Sequence, residues 1–382
     1  MKLAIVRQKY TPFGGAERIV ERAIDALVRR GVDITLIARE WQAHTVHPHR
    51  QCAPFFVGRT WRDLSFAYCV QRLISTGEFD LVQSHERIPG CHVFRAGDGV
   101  HAAWLHYRTS GKRRAGELST SFFPYHRMVL AQEQAMLTNP ALRRVICNSR
   151  MVAEELQEHY GLPENKLTVI YNGVDLQRFH PGLAGLHRKP LRAELGIPDS
   201  QPMMLFVGNG FARKGVPVLL EACVNMKQRD TCLVVVGEDR QRLALSRETS
   251  RLGLAGRVRF LGACRDVERY FAAADGFVLP SAYDPCPNAV LEAMACGLPT
   301  IVSSRSGARE WITEGVNGFV VPPDDPLVLA ERLDQLCALG QPARQAARRA
   351  VEHLSLDAMS ENLLALYDEL LGNHDSPRLG AS

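Results

Sequence analysis

The 382-residue sequence has little charge imbalance, few aromatics and no long apolar run, and each shortage removes a class of explanation. Lys and Arg number 46 against 41 Asp and Glu, a formal charge of +5 with His neutral. The cations are scattered and matched by acids over most of the chain, so charge gives no reason to expect a nucleic-acid partner. No stretch approaches the ~18 uninterrupted apolar residues of a membrane-spanning helix. The opening run Met1–Arg7 is too short for a secretory signal, so the expectation is a cytoplasmic protein. Ten cysteines include no C-x-x-C pair and mostly sit in apolar runs, which predicts reduced thiols and no structural zinc. G-x-G-x-x-G and P-loop patterns are missing, as are solenoid-length repeats and low-complexity tracts.

What remains is an ordinary globular composition, 46% hydrophobic and 23% charged, long enough for two or three domains. In the second half short apolar runs alternate with amphipathic stretches, the rhythm of a parallel sheet wrapped by helices. Strands are expected at Met203–Val207, Cys232–Gly237, Val258–Leu261, Gly276–Leu279, Pro299–Ser303 and Gly318–Val321. Helices are expected near Val216–Met226, Arg240–Leu252, Val267–Ala274, Asn288–Ala295, Ala308–Thr313 and Pro326–Leu339. The first half repeats the theme less regularly, with strands at Leu3–Val6, Asp33–Ile37, Leu81–Ser84, Val93–Arg95, Val145–Asn148 and Thr168–Tyr171 and a helix from Ala16 to Arg29. The stretch Asn172–Pro202, rich in Gly, Pro and His without a sustained period, reads as the connection between domains. The organisation expected is α/β: one doubly wound, Rossmann-like domain over 1–172 and another over 173–355. A helix at 356–371 would pack back on the first, and 372–382 would form a mobile tail. Two such domains facing each other would put the carboxyl ends of both sheets on a common cleft.

Three segments carry chemistry. Tyr10–Arg18 runs from a strand into a helix through Gly14 and Gly15, which suits close approach to a diphosphate but also a plain turn. Val207–Gly215 follows a strand with Gly208, Gly210, Arg213 and Lys214, so two adjacent cations lie where a leaving diphosphate would need neutralising. Pro280–Pro299 ends a strand with Asp284, starts a helix near Asn288 and carries Glu292 one turn inside. Asn288 suits a helix cap. Glu292, flanked by Leu291, Ala293, Met294 and Ala295, needs a polar partner, and sugar hydroxyls would serve. His44, His47 and His49 alternate around Pro48 without a nearby acid or Cys set and read as a surface loop.

The G-G-A-E-R loop, the Arg213-Lys214 loop and the acid-x7-Glu segment closing in G-L-P resemble the family-four retaining glycosyltransferases of GT-B fold. Lys9–Gly15 and the Pro89–Asp98 segment bring the likeness nearest to the lipopolysaccharide core glucosyltransferases. The resemblance covers nearly the whole chain. It implies transfer of a sugar from a nucleotide sugar, with retention of configuration and no metal or other cofactor. Carried over residue by residue, Gly14 and Gly15 would face the donor phosphates, as would Gly208, and Arg213 and Lys214 would hold the leaving diphosphate. Asn288, Ala289 and Val290 would add backbone donors, Glu292 would bind the ribose, Arg265 would lie at the base and Asp284 at the transferred sugar. The family usually has Glu at that first acid, so Asp284 is one methylene shorter. Asp98 matches an acidic position near the reacting centre, and His101 is the alternative proton acceptor.

The segment His101–Leu130 interleaves Trp104, Tyr107, Phe122, Phe123 and Tyr125 with Arg108, Lys112, Arg113, Arg114 and Arg127 against the single acid Glu117. That composition suits the anionic inner face of a membrane, or a phosphorylated glycolipid acceptor, or a solvated loop with core aromatics. The activity expected is transfer from a UDP-sugar to a glycolipid or oligosaccharide of the cell envelope, lipopolysaccharide core first. A nicotinamide-dependent dehydrogenase lacks its glycine fingerprint here. A non-catalytic nucleotide-sugar sensor would keep Glu292 and the Arg213-Lys214 pair without needing Asp98.

Overall fold

The structure, a computed structural model, describes residues 1–10, 24–25, 27–41, 48–110 and 123–372. The chain forms two compact units, Met1–Gly173 together with Leu356–Ser382, and Val174–Ser355.

The first unit holds strands β1 (Lys2–Val6), β3 (Asp33–Ala38), β5 (His49–Gln51), β6 (Leu81–Ser84), β7 (Val93–Ala96), β8 (Arg144–Cys147) and β9 (Leu167–Val169). They form one parallel sheet in the order β5-β3-β1-β6-β7-β8-β9, and β2 (Lys9–Tyr10) pairs separately with β4 (Glu40–Trp41). The inner strands β1, β3, β6, β7 and β8 are largely buried and mostly apolar, whereas the edge strand β5 is exposed and polar. Leu3 and Ile5 of β1 enter one core cluster with Ile24, Leu27 and Ile34, while Ala4 and Val6 enter another with Phe66 and Val70. Each such Leu or Ile contributes about 1.5–3 kcal/mol when fully buried. Around the sheet lie α1 (Gly58–Ile74), α2 (His101–Ser110), α3 (Pro124–Leu137) and α4 (Arg150–Tyr160).

The second unit holds α5 (Leu183–Glu194), β10 (Met203–Val207), α6 (Phe211–Lys214), α7 (Val216–Asn225), β11 (Cys232–Val236), α8 (Arg242–Arg251), β12 (Val258–Gly262), α9 (Glu268–Ala273), β13 (Gly276–Leu279), α10 (Asn288–Ala295), β14 (Thr300–Ser303), β15 (Gly318–Val321), α11 (Pro326–Ala338) and α12 (Gln341–Val351). Its sheet is parallel in the order β12-β11-β10-β13-β14-β15. Strand order reverses between β10 and β13, and ligands of such sheets bind at the carboxyl end of that switch point. In the first sheet the reversal lies between β1 and β6. Helix α13 (Leu356–Leu371) returns to the first unit, where Met359, Leu363, Leu366 and Tyr367 join the Leu3 cluster. The Tyr367 hydroxyl there donates to the buried Gln83 Oε1 at 2.7 Å.

Several expectations are corrected. The presumed connection 172–202 contains α5, which belongs to the second unit despite Pro190 inside it. Its period is hidden because a buried position is Arg192, 1% exposed, which donates to the carbonyls of Ala273, Pro198 and Gln201 and to Asp275. Ala308–Thr313 is a single 3-10 turn, Gly307–Trp311. Not all thiols are reduced: Cys52 and Cys69 form a disulfide, and the other eight cysteines are free. Of the expected helix 16–29, residues 24–25 and 27–29 are helical; the rest, with Gly14 and Gly15, lies outside the described residues, as do His44, His47, Phe122, residues 373–382 of the expected tail 372–382 and Lys112, Arg113 and Arg114. No helix among the described residues is long and apolar enough to cross a membrane.

Candidate active site: two carboxyl-edge clusters

In the second unit the loop after β10 is fixed by what it touches. Gly208 N donates to Val236 O at 3.0 Å, Asn209 Oδ1 accepts from Glu238 N at 2.8 Å, and Phe211 N donates to Asp239 Oδ2 at 2.8 Å. The loop is thereby tied to the end of the neighbouring strand β11. Gly215 has φ +86°, and a Cβ on it would stand 2.2 Å from Pro280 O, so only glycine lets this turn pass against the loop after β13. That approach brings two loops together. Ala282 N donates to Arg213 O at 2.8 Å, and Arg213 Nη1 donates to Tyr283 O at 3.3 Å.

Three expected site residues meet there. Lys214 Nζ forms an ion pair with Asp284 Oδ2, and Arg213 Nη1 stands 3.8 Å from the same oxygen. The Asp284 side chain is 8% exposed and Lys214 14%, whereas Arg213 is 46% exposed. Backbone bonds lock Asp284, its N–H donating to Arg305 O at 3.1 Å and its carbonyl accepting from Gly307 N at 2.9 Å. Gly208 lies against the Lys214 stem, 3.7 Å from an ideal Cβ to Cγ. The cluster sits at the carboxyl ends of β10 and β13, the switch point of the sheet.

Helix α10 follows the same loop. Its cap is Pro287, with no side-chain cap, so Asn288 is the first helical residue and not the cap expected from the sequence. Asn288, Ala289 and Glu292 are half-buried and Val290 is buried. Arg265 follows β12 with an exposed side chain, and its carbonyl accepts from Arg178 at 3.2 Å.

The first unit has a cluster of a different construction. Asp98 is exposed in the turn after β7, where Gly99 N donates to Ala96 O at 3.1 Å and Asn148 Nδ2 to Gly97 O at 3.0 Å. Beneath that turn is Glu133 of α3, 1% exposed. Its carboxylate accepts from Arg87 Nε at 2.7 Å, from Tyr160 Oη at 2.6 Å and from the backbone N–H of His101 at 3.0 Å. Burial pushes the Glu133 carboxyl up, but Arg87, Tyr160 and the His101 amide outweigh it and hold the group below the usual carboxylate range. Arg87 also donates to Gly99 O at 3.0 Å, so this network holds the chain after Asp98 while Asn148 holds Gly97 before it.

His101 begins α2, stacked on Trp104 and 3.2 Å from His126 across Nε2 and Nδ1. Burial, with Arg87 nearby, pushes its imidazole down to about 4, so it is neutral at physiological pH. At the switch point, Glu86 follows β6 and accepts from Gln8 N at 2.9 Å. Burial first, then the charge of Asp98, raises the Glu86 carboxyl, whereas the Gln8 amide and nearby arginines oppose the rise. Arg108 of α2 lies over the Trp104 ring at 5.2 Å.

Glu86, Arg87, Glu133 and Tyr160 escaped the sequence reading. One signal could have found Glu133: on α3 it shares the buried face of Val129, Met136 and Leu137, so a carboxylate recurs at apolar helical spacing. Among the described residues no group of three His, Cys, Asp or Glu side chains is placed to hold a metal ion.

Two family models match the chain: Glycosyltransferase Family 4 over residues 13–178 and Glycosyl transferases group 1 over residues 187–353. An uncharacterized glycosyltransferase of Methanocaldococcus jannaschii, MJ1607, is 34% identical over 196 residues, and the match spans half of each chain. D-inositol 3-phosphate glycosyltransferase of Xylanimonas cellulosilytica is 28% identical over 93% of this chain and 91% of its own. Lipopolysaccharide glucosyltransferase WaaG of Escherichia coli K12 is 24% identical over 84% of this chain and 85% of its own. The crystal structure of WaaG aligns with a TM-score of 0.82 at 22% identity, covering 95% of this chain and 99% of WaaG. The structure of Anabaena Alr3699/HepE in complex with UDP and glucose aligns at 0.71 and 21% identity, covering 97% of this chain and all of that one. The folds therefore agree, and the two family models between them account for both units: the chain belongs to the glycosyltransferases of GT-B fold, with a family-four domain followed by a group 1 domain.

Proposed function

We propose that the protein is a retaining, metal-independent glycosyltransferase that moves a hexose from a UDP-sugar to a cell-envelope glycan, lipopolysaccharide core first. The observation that carries this reading is the convergence of Arg213, Lys214 and Asp284 on the switch point of the second sheet. Negative charge growing on a leaving diphosphate is the largest electrostatic demand of the reaction, and two preplaced cations meet it without reorganisation. In the free protein Asp284 neutralises Lys214. A donor diphosphate replaces that partner and releases the Asp284 carboxylate toward the hydroxyls of the transferred sugar. Arg213, largely exposed, is already available to an incoming anion. Gly14, Gly15 and Gly208 approach the phosphates, as do the amides of Asn288, Ala289 and Val290, Glu292 accepts from the ribose, and Arg265 flanks the base. The named substrates of HepE and WaaG support the UDP-sugar and the lipopolysaccharide acceptor.

On the acceptor side Asp98 takes or orients the proton of the attacking hydroxyl. Neutral His101 is half-buried against Trp104 and His126, whereas Asp98 is exposed in its turn, so the order of preference is Asp98 before His101. Trp104 and Arg108 of α2, with Lys112, Arg113 and Arg114 beyond it, form a basic aromatic contact for an anionic inner-membrane surface, which makes the enzyme peripheral and cytoplasmic. Sedimentation with anionic but not neutral vesicles, reduced when 112–114 are neutralised, is the expected result; equal sedimentation with both lipids removes the membrane contact.

The deciding experiment is a thermal-shift and calorimetric screen of UDP, UDP-glucose, UDP-galactose, UDP-N-acetylglucosamine, GDP-mannose and NAD, with EDTA present, on the wild type and Glu292→Ala. Stabilisation by one UDP-sugar, lost in the variant, is expected. Binding only of a GDP-sugar overturns the donor, and binding without transfer or donor hydrolysis turns the reading to a sensor.

A further inference from the structure

The second unit has a cavity of about 790 Å³ beside Pro202 and Asp275, which immediately precede β10 and β13. It therefore opens at the amino edge of the sheet, the opposite edge from the loops carrying Lys214 and Asp284. Its volume falls in the range of metabolite sites. Arg188 of α5 and Arg344, Arg348 and Arg349 of α12 line it, together with Gly340 and Gln341 at the start of α12.

Two acids face these four cations, Asp199 and Asp275. The Asp275 carboxylate is already satisfied: Arg188 lies 2.8 Å from Oδ1, while Arg192 at 2.5 Å and Met203 N at 2.9 Å donate to Oδ2. Arg188 and Arg344 also clamp the carbonyls that end α9, and Arg348 those of Phe179 and Ala295, which gives these three a structural role. That role occupies one edge of each group. Arg344 makes contacts of 3.2–3.4 Å to Ala274 O and Asp275 O, and Arg348 uses only Nη1, at 3.0 Å to Phe179 O and 2.9 Å to Ala295 O. A guanidinium has five N–H donors, so both keep donors in hand, and Arg349 is exposed. Burial, opposed by Asp275 and assisted by the neighbouring Arg188, holds Arg344 below its ordinary basicity. Pro181, Leu336 and Leu339 supply apolar wall for a carbon skeleton.

We propose that this cavity binds a small phosphorylated metabolite, with its phosphate held by Arg344, Arg348 and Arg349. The site is separate from the donor loops and stands whether or not the donor is a UDP-sugar. Cys337, half-buried in the cavity wall, provides a local reporter. The test titrates the full chain with inorganic pyrophosphate at millimolar concentration and follows thiol modification at Cys337 by mass spectrometry, in the wild type, Arg349→Gln and Arg344→Gln. The expected result is saturable protection of Cys337, weakened about tenfold in each variant, with an unchanged melting curve for Arg349→Gln. Arg349 is exposed, so its variant keeps the test sound if Arg344→Gln fails to fold. Absence of protection, or protection equally strong in Arg349→Gln, overturns the proposal.

Discussion

The two carboxyl-edge clusters solve the same problem, holding charge in place at the end of a parallel sheet, by opposite means. In the second unit the charges come from two loops, each contiguous in sequence, and glycine lets the loops touch: Gly215 passes under Pro280 O. The ion pair of Lys214 and Asp284 is then a consequence of backbone contact. In the first unit the turn bearing Asp98 is braced by side chains from afar, Arg87 after β6, Glu133 on α3 and Tyr160 at the end of α4. A backbone-set site tolerates side-chain change poorly at glycine, and a side-chain-set site tolerates it poorly at the buried ion.

The comparison breaks most sharply at Gly215. Gly215→Ala places a Cβ 2.2 Å from a backbone oxygen at a positive φ, so chemical denaturation should show a loss on the order of 4 kcal/mol. A loss under about 1 kcal/mol would mean that the two loops are not held by that contact. Next comes Glu133→Gln, which leaves Arg87 without its charge partner and should cost about 3 kcal/mol in the same measurement. In a transfer assay it should also lower kcat more than it raises the donor KM, because the loops proposed to bind the donor lie in the other unit; the reverse pattern would detach Glu133 from Asp98. Lys214→Ala should lower kcat by roughly 10²-fold, equivalent to about 2.7 kcal/mol. It should also lower the melting temperature, because the buried Asp284 loses its ion-pair partner, and near-normal turnover would end its assignment to the leaving group.

The smallest effect is in pH. The folded pKa of His101, about 4, lies below its unfolded value near 6.5, so the unfolded chain binds the proton more readily between those limits. Stability from this group is complete above pH 6.5 and is lost as pH falls toward 4. In His101→Asn the fall in stability over that window should be shallower, read from melts at pH 4.5, 5.5 and 7, and an unaltered slope would show the ring to be solvated.

The unevenness of what sequence reveals follows the same division. Strands of the second sheet could be read to within a residue or so, because buried parallel strands are apolar runs bounded by turn residues, and helix 356–371 was legible from its period. The Arg213-Lys214 loop and the Asp284–Glu292 segment were legible because their chemistry lies within a dozen residues. Helix α5 was hidden by Pro190 and by a buried arginine that breaks the apolar pattern. The disulfide of Cys52 and Cys69 joins residues with no motif between them.

The sequence by itself determined the alternation of strands and helices and the placing of Arg213-Lys214 and Asp284–Glu292 in loops after strands, since hydrophobic period, glycine and charge are local properties. Only the tertiary structure decided that Asp284 neutralises Lys214, that Glu133 is a buried ion under the Asp98 turn, and that four arginines from two helices share one cavity. Those pairings depend on which segments, up to about 160 residues apart, the sheet order makes neighbours, and no local pattern encodes that.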